Sequence, residues 1–66
     1  MASTNQKLQD ARKQRNWTIE QASAQIGVDI KTYRRWEQKG YNPSLRHLRR
    51  LCQIFELSPE ELGFDI

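Results

Sequence analysis

The sequence is poor in the residues that cross-link a fold or anchor a chain in a membrane. Its single cysteine, Cys52, excludes an intramolecular disulfide, and no cysteine or histidine pair has the spacing of a zinc site. No apolar run approaches the roughly 20 residues of a membrane span, and the first residues lack the apolar stretch of a secretion signal. We therefore expect a cytoplasmic protein without a metal or a cofactor.

Proline and glycine are also scarce, with two and three copies among 66 residues, and no segment alternates apolar and polar residues for long enough to predict a strand. This pattern predicts an all-α fold. A chain of this length buries only about 60% of its unfolded surface, which leaves little room for an enzyme cleft. No nucleophile is paired with a base, so we expect a single non-enzymatic domain over residues 1–66, held together by helix packing.

The charges are distributed unevenly along the chain. Residues 1–50 carry all eleven lysines and arginines against four acids, for a net charge of +7, whereas residues 51–66 carry four acids and no base. A basic body with an acidic end indicates that one face is turned towards a polyanion and another away from it.

Hydrophobic spacing and cap residues predict five helices, at about residues 4–15, 18–26, 29–38, 44–55 and 59–63. Each predicted start has a side chain that can accept from the free N–H groups of a first turn, namely Ser3, Thr18, Asp29, Ser44 and Ser58. Thr18 has Gln21 three residues on, Ser3 has Gln6 and Ser58 has Glu61, which are capping-box patterns. Asn16 is expected to end the first helix in a left-handed conformation.

The second and third predicted helices meet at Ile26-Gly27-Val28, where Gly27 supplies the permissive backbone of a tight corner. Tyr33 and Trp36, three residues apart, are expected to face inward. The same spacing turns the cations of the third helix outward. A helix-turn-helix of this kind places its second helix in the major groove of DNA.

The fourth predicted helix has a wide apolar stripe that is expected to form the centre of the core, comprising Leu45, Leu48, Leu51, Cys52 and Phe55. The last apolar residues, Leu62, Phe64 and Ile66, have little chain left to fold around them. We expect them to be exposed and to provide a surface for self-association.

Together these motifs resemble the Cro and phage-repressor (XRE-like) helix-turn-helix domains over about residues 6–63. The resemblance rests on Leu8 with Ala11-Arg12, Trp17-Thr18, Gly27-Val28, Trp36-Glu37, Pro43-Ser44-Leu45 and Ser58-Pro59-Glu60-Glu61-Leu62. It implies a compact five-helix bundle of the lambda-repressor-like type. It also implies sequence-specific binding of double-stranded DNA, most often by a transcriptional regulator associated with a bacterial or phage nucleoid.

The resemblance assigns roles to particular positions. Base edges are expected to be contacted by Ile30, Lys31 and Arg35, since an arginine can bond O6 and N7 of a guanine together. The DNA backbone or the groove walls are expected to be contacted by Trp17, Thr18, Thr32, Arg34, Gln38, Lys39, Tyr41, Asn42 and Arg46. Arg12 and Glu37 match positions that form a structural ion pair between the first and third helices.

Three positions depart from the family's pattern. Asp29 places a negative charge where a small polar cap is usual, and Ile19 replaces a glutamine that contacts phosphate. Lys39 stands where a glycine is usual, with Gly40 one residue later, so the exit of the third helix is expected to differ.

Other polar residues have simpler interpretations. Trp36 is expected mainly in the core, with its rim as a further phosphate contact, and His47 on the surface of the fourth helix. Arg49 and Arg50 are interpreted as a solvated face, with contact to a partner or to phosphate as the alternative.

Two functions stay open. In the first, two copies bind a pseudo-palindromic site as a homodimer. In the second, the chain is the N-terminal interaction module of a larger signalling protein and binds DNA weakly or not at all by itself.

Overall fold

The computed structural model describes residues 4–64, and four α-helices make up most of this range. In chain order, α1 spans Gln6–Gln14, α2 spans Ile19–Ile26, α3 spans Ile30–Gln38 and α4 spans Leu45–Phe55. α2 packs against both α3 and α4, and α1 packs against α3. Residues 4–64 contain no strand, so the predicted all-α class is confirmed.

The predicted fifth helix is wrong, because residues 59–63 form only hydrogen-bonded turns. Its predicted capping box is present: the Ser58 N–H donates to Glu61 Oε1 at 2.9 Å, and the Glu61 N–H donates to Ser58 Oγ at 3.2 Å. Gly63, at a φ of 82°, reverses the chain immediately afterwards. A cap at one end and a left-handed glycine at the other leave no interior in which an α-helix can propagate.

Of the caps predicted for α2, α3 and α4, two form a side-chain hydrogen bond and one does not. Thr18 Oγ1 accepts from the Gln21 N–H at 3.1 Å and the Thr18 N–H donates back to Gln21 Oε1 at 2.9 Å, which confirms that capping box. Ser44 Oγ accepts from the His47 N–H at 3.5 Å. Asp29 does occupy the N-cap position of α3, but its side chain accepts no cap hydrogen bond, so its predicted capping role is wrong.

The first helix begins two residues later than predicted, because Asn5 is its cap: Asn5 Oδ1 accepts from the Leu8 N–H at 3.0 Å. The predicted cap, Ser3, lies outside the described residues. Asn5 is buried, its amide donates to the Leu62 carbonyl at 2.9 Å, and its backbone N–H donates to the Glu37 carbonyl at 2.8 Å. One asparagine thus joins the start of α1 to α3 and to the C-terminal turn.

The core is a continuous cluster to which every helix contributes. Its buried apolar members are Leu8, Ala11, Ala22, Ile26, Tyr33, Trp36, Leu48, Leu51, Phe55, Leu62 and Phe64. The prediction that Leu62 and Phe64 are exposed is wrong, since they are 0% and 2% exposed. The turn at residues 59–63 folds back onto the start of α1, so the last apolar residues close the core. Leu62 and Phe64 therefore do not form the predicted self-association surface, and the third predicted member, Ile66, lies outside the described residues.

The apolar stripe of α4 is narrower than predicted. Leu48, Leu51 and Phe55 are buried, but Leu45 is 60% exposed and Cys52 is only half-buried. Leu45 is the first residue of α4, where the helix emerges from a loop that contains the equally exposed Tyr41. Its side chain therefore lies beyond the edge of the core.

The corner between α2 and α3 has the predicted geometry. Gly27 is left-handed, at a φ of 87°, and the N–H groups of Gly27 and Val28 both donate to the Ser23 carbonyl, at 2.8 and 3.0 Å. A residue with a Cβ is disfavoured in this conformation by about 1–2 kcal/mol. Glycine at position 27 therefore allows the tight turn from which α3 leaves α2.

The exit of α3 shows how the displaced glycine is accommodated. Lys39 stays near the helical region, at a φ of −111°, and Gly40 then takes the left-handed conformation, at a φ of 68°. The Tyr41 N–H reaches back to the Arg35 carbonyl at 3.1 Å. After α1, Asn16 takes the left-handed conformation, at a φ of 59°, as predicted.

Candidate nucleic-acid interface

The outward face of α3 carries a group of exposed cations. Tyr33, Trp36 and Glu37 are buried on its inner side. The outer side and the helix exit form a shallow concavity lined by Lys31, Arg34, Arg35, Gln38 and Lys39, all of them exposed. The i, i+3, i+4 and i+7 spacing of the helical members places them on one stripe, so the fold presents four cations together on one surface.

The residues predicted to contact base edges are not equally exposed. Lys31 and Arg35 are exposed and lie one turn apart, whereas Ile30 is half-buried at the first position of the helix. Thr32, predicted at the groove wall, is also half-buried. The structure brings Lys31 and Arg35 together on the outer stripe and leaves Ile30 and Thr32 at its margins.

The predicted backbone contacts outside α3 lie on the segments that precede and follow it in the chain. Tyr41, Asn42 and Arg46 are exposed in the α3–α4 loop and the first turn of α4, while Thr18 is exposed at the start of α2. The N–H groups of a first helical turn can bind phosphate. Exposed polar groups therefore flank α3 on two neighbouring elements.

Trp17 is occupied by structural contacts. Its ring packs 5.7 Å from that of Phe55, the guanidinium of Arg15 lies 5.7 Å from its centroid, and its carbonyl accepts from Arg12 Nη1 at 2.8 Å. It is half-buried. This packing cannot be predicted from the sequence, because Trp17 lies in a loop outside any helical periodicity.

The ion pair expected between Arg12 and Glu37 is present and buried. Arg12 Nη2 donates to Glu37 Oε1 at 2.9 Å and Arg12 Nε donates to Oε2 at 3.0 Å, while the two side chains are 11% and 2% exposed. Hydrogen bonding to Glu37 raises the pKa of Arg12. Since Arg12 also holds the Trp17 carbonyl ahead of α2, one guanidinium joins α1, α3 and the entrance of the helix-turn-helix.

Tyr33 lies beside this pair and is fully buried. Its hydroxyl has no hydrogen-bond partner among the described residues. Burial, and then the negative charge of Glu37, raise the pKa of Tyr33. The phenol therefore stays neutral, and its ring supports α3 through an edge contact with Trp36 at 6.0 Å between centroids.

Few of the cations are neutralised within the fold. Residues 4–64 contain two ion pairs, the buried Arg12–Glu37 pair and an exposed contact between Arg15 and Glu56 at 3.5 Å. Neither pair involves an exposed cation of α3 or α4. Their positive charge is therefore available to an external anion.

A second basic surface, which the sequence did not single out, lies where α4 meets the corner of the helix-turn-helix. It is a concavity lined by Ile26, Gly27, Arg46, His47 and Arg50. His47 is half-buried and lines this surface concavity, and its ring also contacts the core, 5.5 Å from that of Trp36. Trp36 itself is in the core, as predicted, at 4% exposure.

The described residues were also compared with the requirements of a metal centre and of a membrane span. No group of three histidine, cysteine or carboxylate side chains within residues 4–64 is arranged to hold a metal ion. Over the same range, none of the helices has the length and the apolar character needed to cross a lipid bilayer.

In a comparison with protein families, residues 8–62 match the helix-turn-helix family. No curated protein matches the chain, and no solved structure does so. The matched range contains all of α2, α3 and α4 and most of α1, so it includes both helices of the motif and the pair that clamps them. The chain belongs to the Cro and XRE-like helix-turn-helix family, a family of DNA-binding domains.

Proposed function

We propose that this chain binds double-stranded DNA at specific sequences by inserting α3 into the major groove, and that it acts as a transcriptional regulator. The observation that carries the proposal is the outer stripe of α3, where Lys31 and Arg35 are exposed, one turn apart and unpaired within residues 4–64. A bidentate contact from Arg35 to guanine is worth about 1–3 kcal/mol of discrimination. Lys31 supplies a second donor on the same stripe.

The flanking residues support the same orientation. Phosphate contacts set the register of a protein on DNA, while base contacts specify the sequence. Thr18 at the start of α2, and Tyr41, Asn42 and Arg46 after α3, are exposed. We propose these residues as backbone contacts, with Arg34, Gln38 and Lys39 at the groove walls.

Two copies are proposed to bind one site. The longest dimension of the described domain is 27 Å, which is less than the roughly 34–36 Å between half-sites one helical turn apart. A single copy therefore covers one half-site. Because Leu62 and Phe64 are buried, they cannot join the copies, and binding to DNA itself is proposed to bring the two together.

Selection of bound duplexes from a random pool tests the proposal. We expect a pseudo-palindromic sequence whose half-sites contain a guanine that Arg35→Ala no longer prefers. Arg46→Ala is expected to weaken binding to all sequences about equally, since a phosphate contact carries no sequence information. Lys7→Ala is the matched control: it removes a cation whose ammonium reaches the Glu60 carbonyl at the acidic end of the chain.

Asp29 provides a separate check on the orientation. Its carboxylate is exposed at the N-cap position of α3 and makes no cap hydrogen bond. In the proposed orientation this negative charge lies close to the DNA backbone. Asp29→Ser is expected to tighten binding to all sequences by removing repulsion from phosphate. Unchanged binding would place the start of α3 away from the DNA.

A further inference from the structure

The concavity between α4 and the helix-turn-helix corner is lined by arginines from a helix that contains no acidic residue. α4 carries three arginines and no acid. Two of them, Arg46 and Arg50, line the concavity with His47, while Ile26 and Gly27 form its opposite side. Arg49 belongs to the same helix but does not line the concavity.

The two arginines are positioned to act on one group. They lie four residues apart, so they occupy one face of α4 in adjacent turns. Both are exposed, and neither makes an ion pair or a side-chain hydrogen bond within residues 4–64. A Cβ placed on Gly27 would lie 4.0 Å from Arg50 Nε, which locates this guanidinium directly beside the corner.

His47 joins this surface to the recognition helix. Its ring packs at 5.5 Å from Trp36 of α3, and its Nδ1 lies 3.2 Å from Ser44 Oγ at the start of α4. Trp36 is buried and therefore cannot move independently of the core. The concavity is consequently fixed relative to α3.

We propose that Arg46, His47 and Arg50 form a binding site for a phosphate group, and that its ligand is a backbone phosphate of the DNA that α3 enters. The proposal rests on the proposed function. Guanidinium groups match phosphate geometry with paired N–H donors and are less strongly hydrated than ammonium groups. The absence of a side chain at Gly27 keeps the concavity open beside Arg50. The bound phosphate fixes the register of α3 from the side of its N-terminus.

A pair of neighbouring arginines tests this assignment. Arg50→Gln and Arg49→Gln remove the same charge from adjacent exposed positions of α4, and only Arg50 lines the concavity. Dissociation constants are measured over a series of salt concentrations, on the selected duplex and on a random duplex. Thermal unfolding by circular dichroism verifies that both variants are folded.

The expected result is that Arg50→Gln reduces the magnitude of the slope of log K against log salt by about 0.9, the value of one phosphate contact. The reduction is expected on both duplexes. Arg49→Gln is expected to leave the slope within a few tenths of the wild-type value. Equal slopes for the two variants would overturn the proposal.

A titration with inorganic phosphate separates a free anion from a DNA phosphate. We follow the Arg50 Nε–H resonance by NMR in the full chain, first with phosphate and then with DNA. A shift of this resonance on addition of DNA, together with the reduced salt slope of Arg50→Gln, supports the proposal. A shift on addition of inorganic phosphate but not of DNA overturns it in favour of a free anion. If the wild type binds no DNA, the proposed function fails as well, whereas sequence-specific binding with equal slopes overturns only the phosphate site.

Discussion

Replacing Glu37 with glutamine keeps the shape of the side chain and removes its charge from a buried ion pair. In the native fold, Glu37 receives three hydrogen bonds from Arg12, at 2.9, 3.0 and 3.2 Å. The variant leaves the guanidinium of Arg12 buried opposite a neutral amide. Because Arg12 also holds the Trp17 carbonyl, the disturbance is expected to reach both ends of the helix-turn-helix.

The magnitude follows from the burial of the pair. Removing one partner of a buried ion pair costs about 3–5 kcal/mol, because the other charge stays buried without compensation. A domain of this length has a total stability of about 3–10 kcal/mol, from roughly 0.05–0.15 kcal/mol per residue. Glu37→Gln is therefore expected to remove a large part of the stability. A loss of 3 kcal/mol corresponds to a fall in Tm of about 12–24 °C.

The chain contains its own control. Glu56 lies 3.5 Å from Arg15 in a pair whose carboxylate side chain is 82% exposed, and an exposed pair contributes about 0–1 kcal/mol. Unfolding in urea, followed by circular dichroism, gives the free energy of unfolding for Glu37→Gln and for Glu56→Gln. We expect a loss of about 3–5 kcal/mol for the first and less than about 1 kcal/mol for the second.

The double variant Arg12→Met with Glu37→Leu distinguishes an unpaired charge from lost packing. Apolar replacement of both partners of a buried pair is often neutral or stabilising, so we expect the double variant to be more stable than Glu37→Gln. If Glu37→Gln and Glu56→Gln destabilise the fold equally, the clamp between α1 and α3 contributes nothing, and this reasoning is refuted.

Three further predictions concern the caps, the left-handed glycines and the buried phenol. Thr18→Ala is expected to lower the free energy of unfolding by about 1 kcal/mol, measured in urea, and Asp29→Ala to lower it by less, because only Thr18 makes a cap hydrogen bond. Gly63→Ala is expected to lower the Tm more than Gly27→Ala: both glycines are left-handed, but the new Cβ at position 63 would overlap the side chain that caps α1. Because burial raises the pKa of Tyr33 in the fold, its contribution to stability is complete below the unfolded-state pKa of about 10 and falls above it by about 1.4 kcal/mol per pH unit. Urea unfolding at pH 9–11 is expected to show that added slope in the wild type and to lack it in Tyr33→Phe.

The sequence predicted the features that depend on local chemistry. The Thr18 capping box, the left-handed conformations of Asn16 and Gly27, and the inward direction of Tyr33 and Trp36 all follow from residue type and short spacing. The four long helices could be placed for the same reason.

The errors concern contacts between distant parts of the chain. Nothing near Leu62 indicates that it packs beneath α1, and nothing near Asn5 indicates that its amide donates to the Leu62 carbonyl, 57 positions later. Propensity likewise favoured Asp29 as a cap, but the geometry of its side chain at the corner does not form the bond. These contacts can be identified only when the three-dimensional arrangement of the helices is known.

In the candidate interface, too, some residues could be predicted from the sequence and others could not. The helical period identified Lys31 and Arg35 as outward cations, because their inward neighbours are aromatic. Arg50 was not distinguished from Arg49, because both are polar residues of one helix. Only the packing of α4 against the corner shows that one of them lies beside Gly27.

The most direct test of the account is a titration of the full chain with its selected duplex and with a random duplex across a range of salt concentrations. If each copy contacts about 3–5 phosphates, the slope of log K against log salt is expected to be near −0.9 for each contact. The selected duplex is expected to bind more tightly at every salt concentration, with a preference that Arg35→Ala abolishes. A flat salt response, or equal affinity for the two duplexes, would contradict the proposal that α3 recognises DNA sequence.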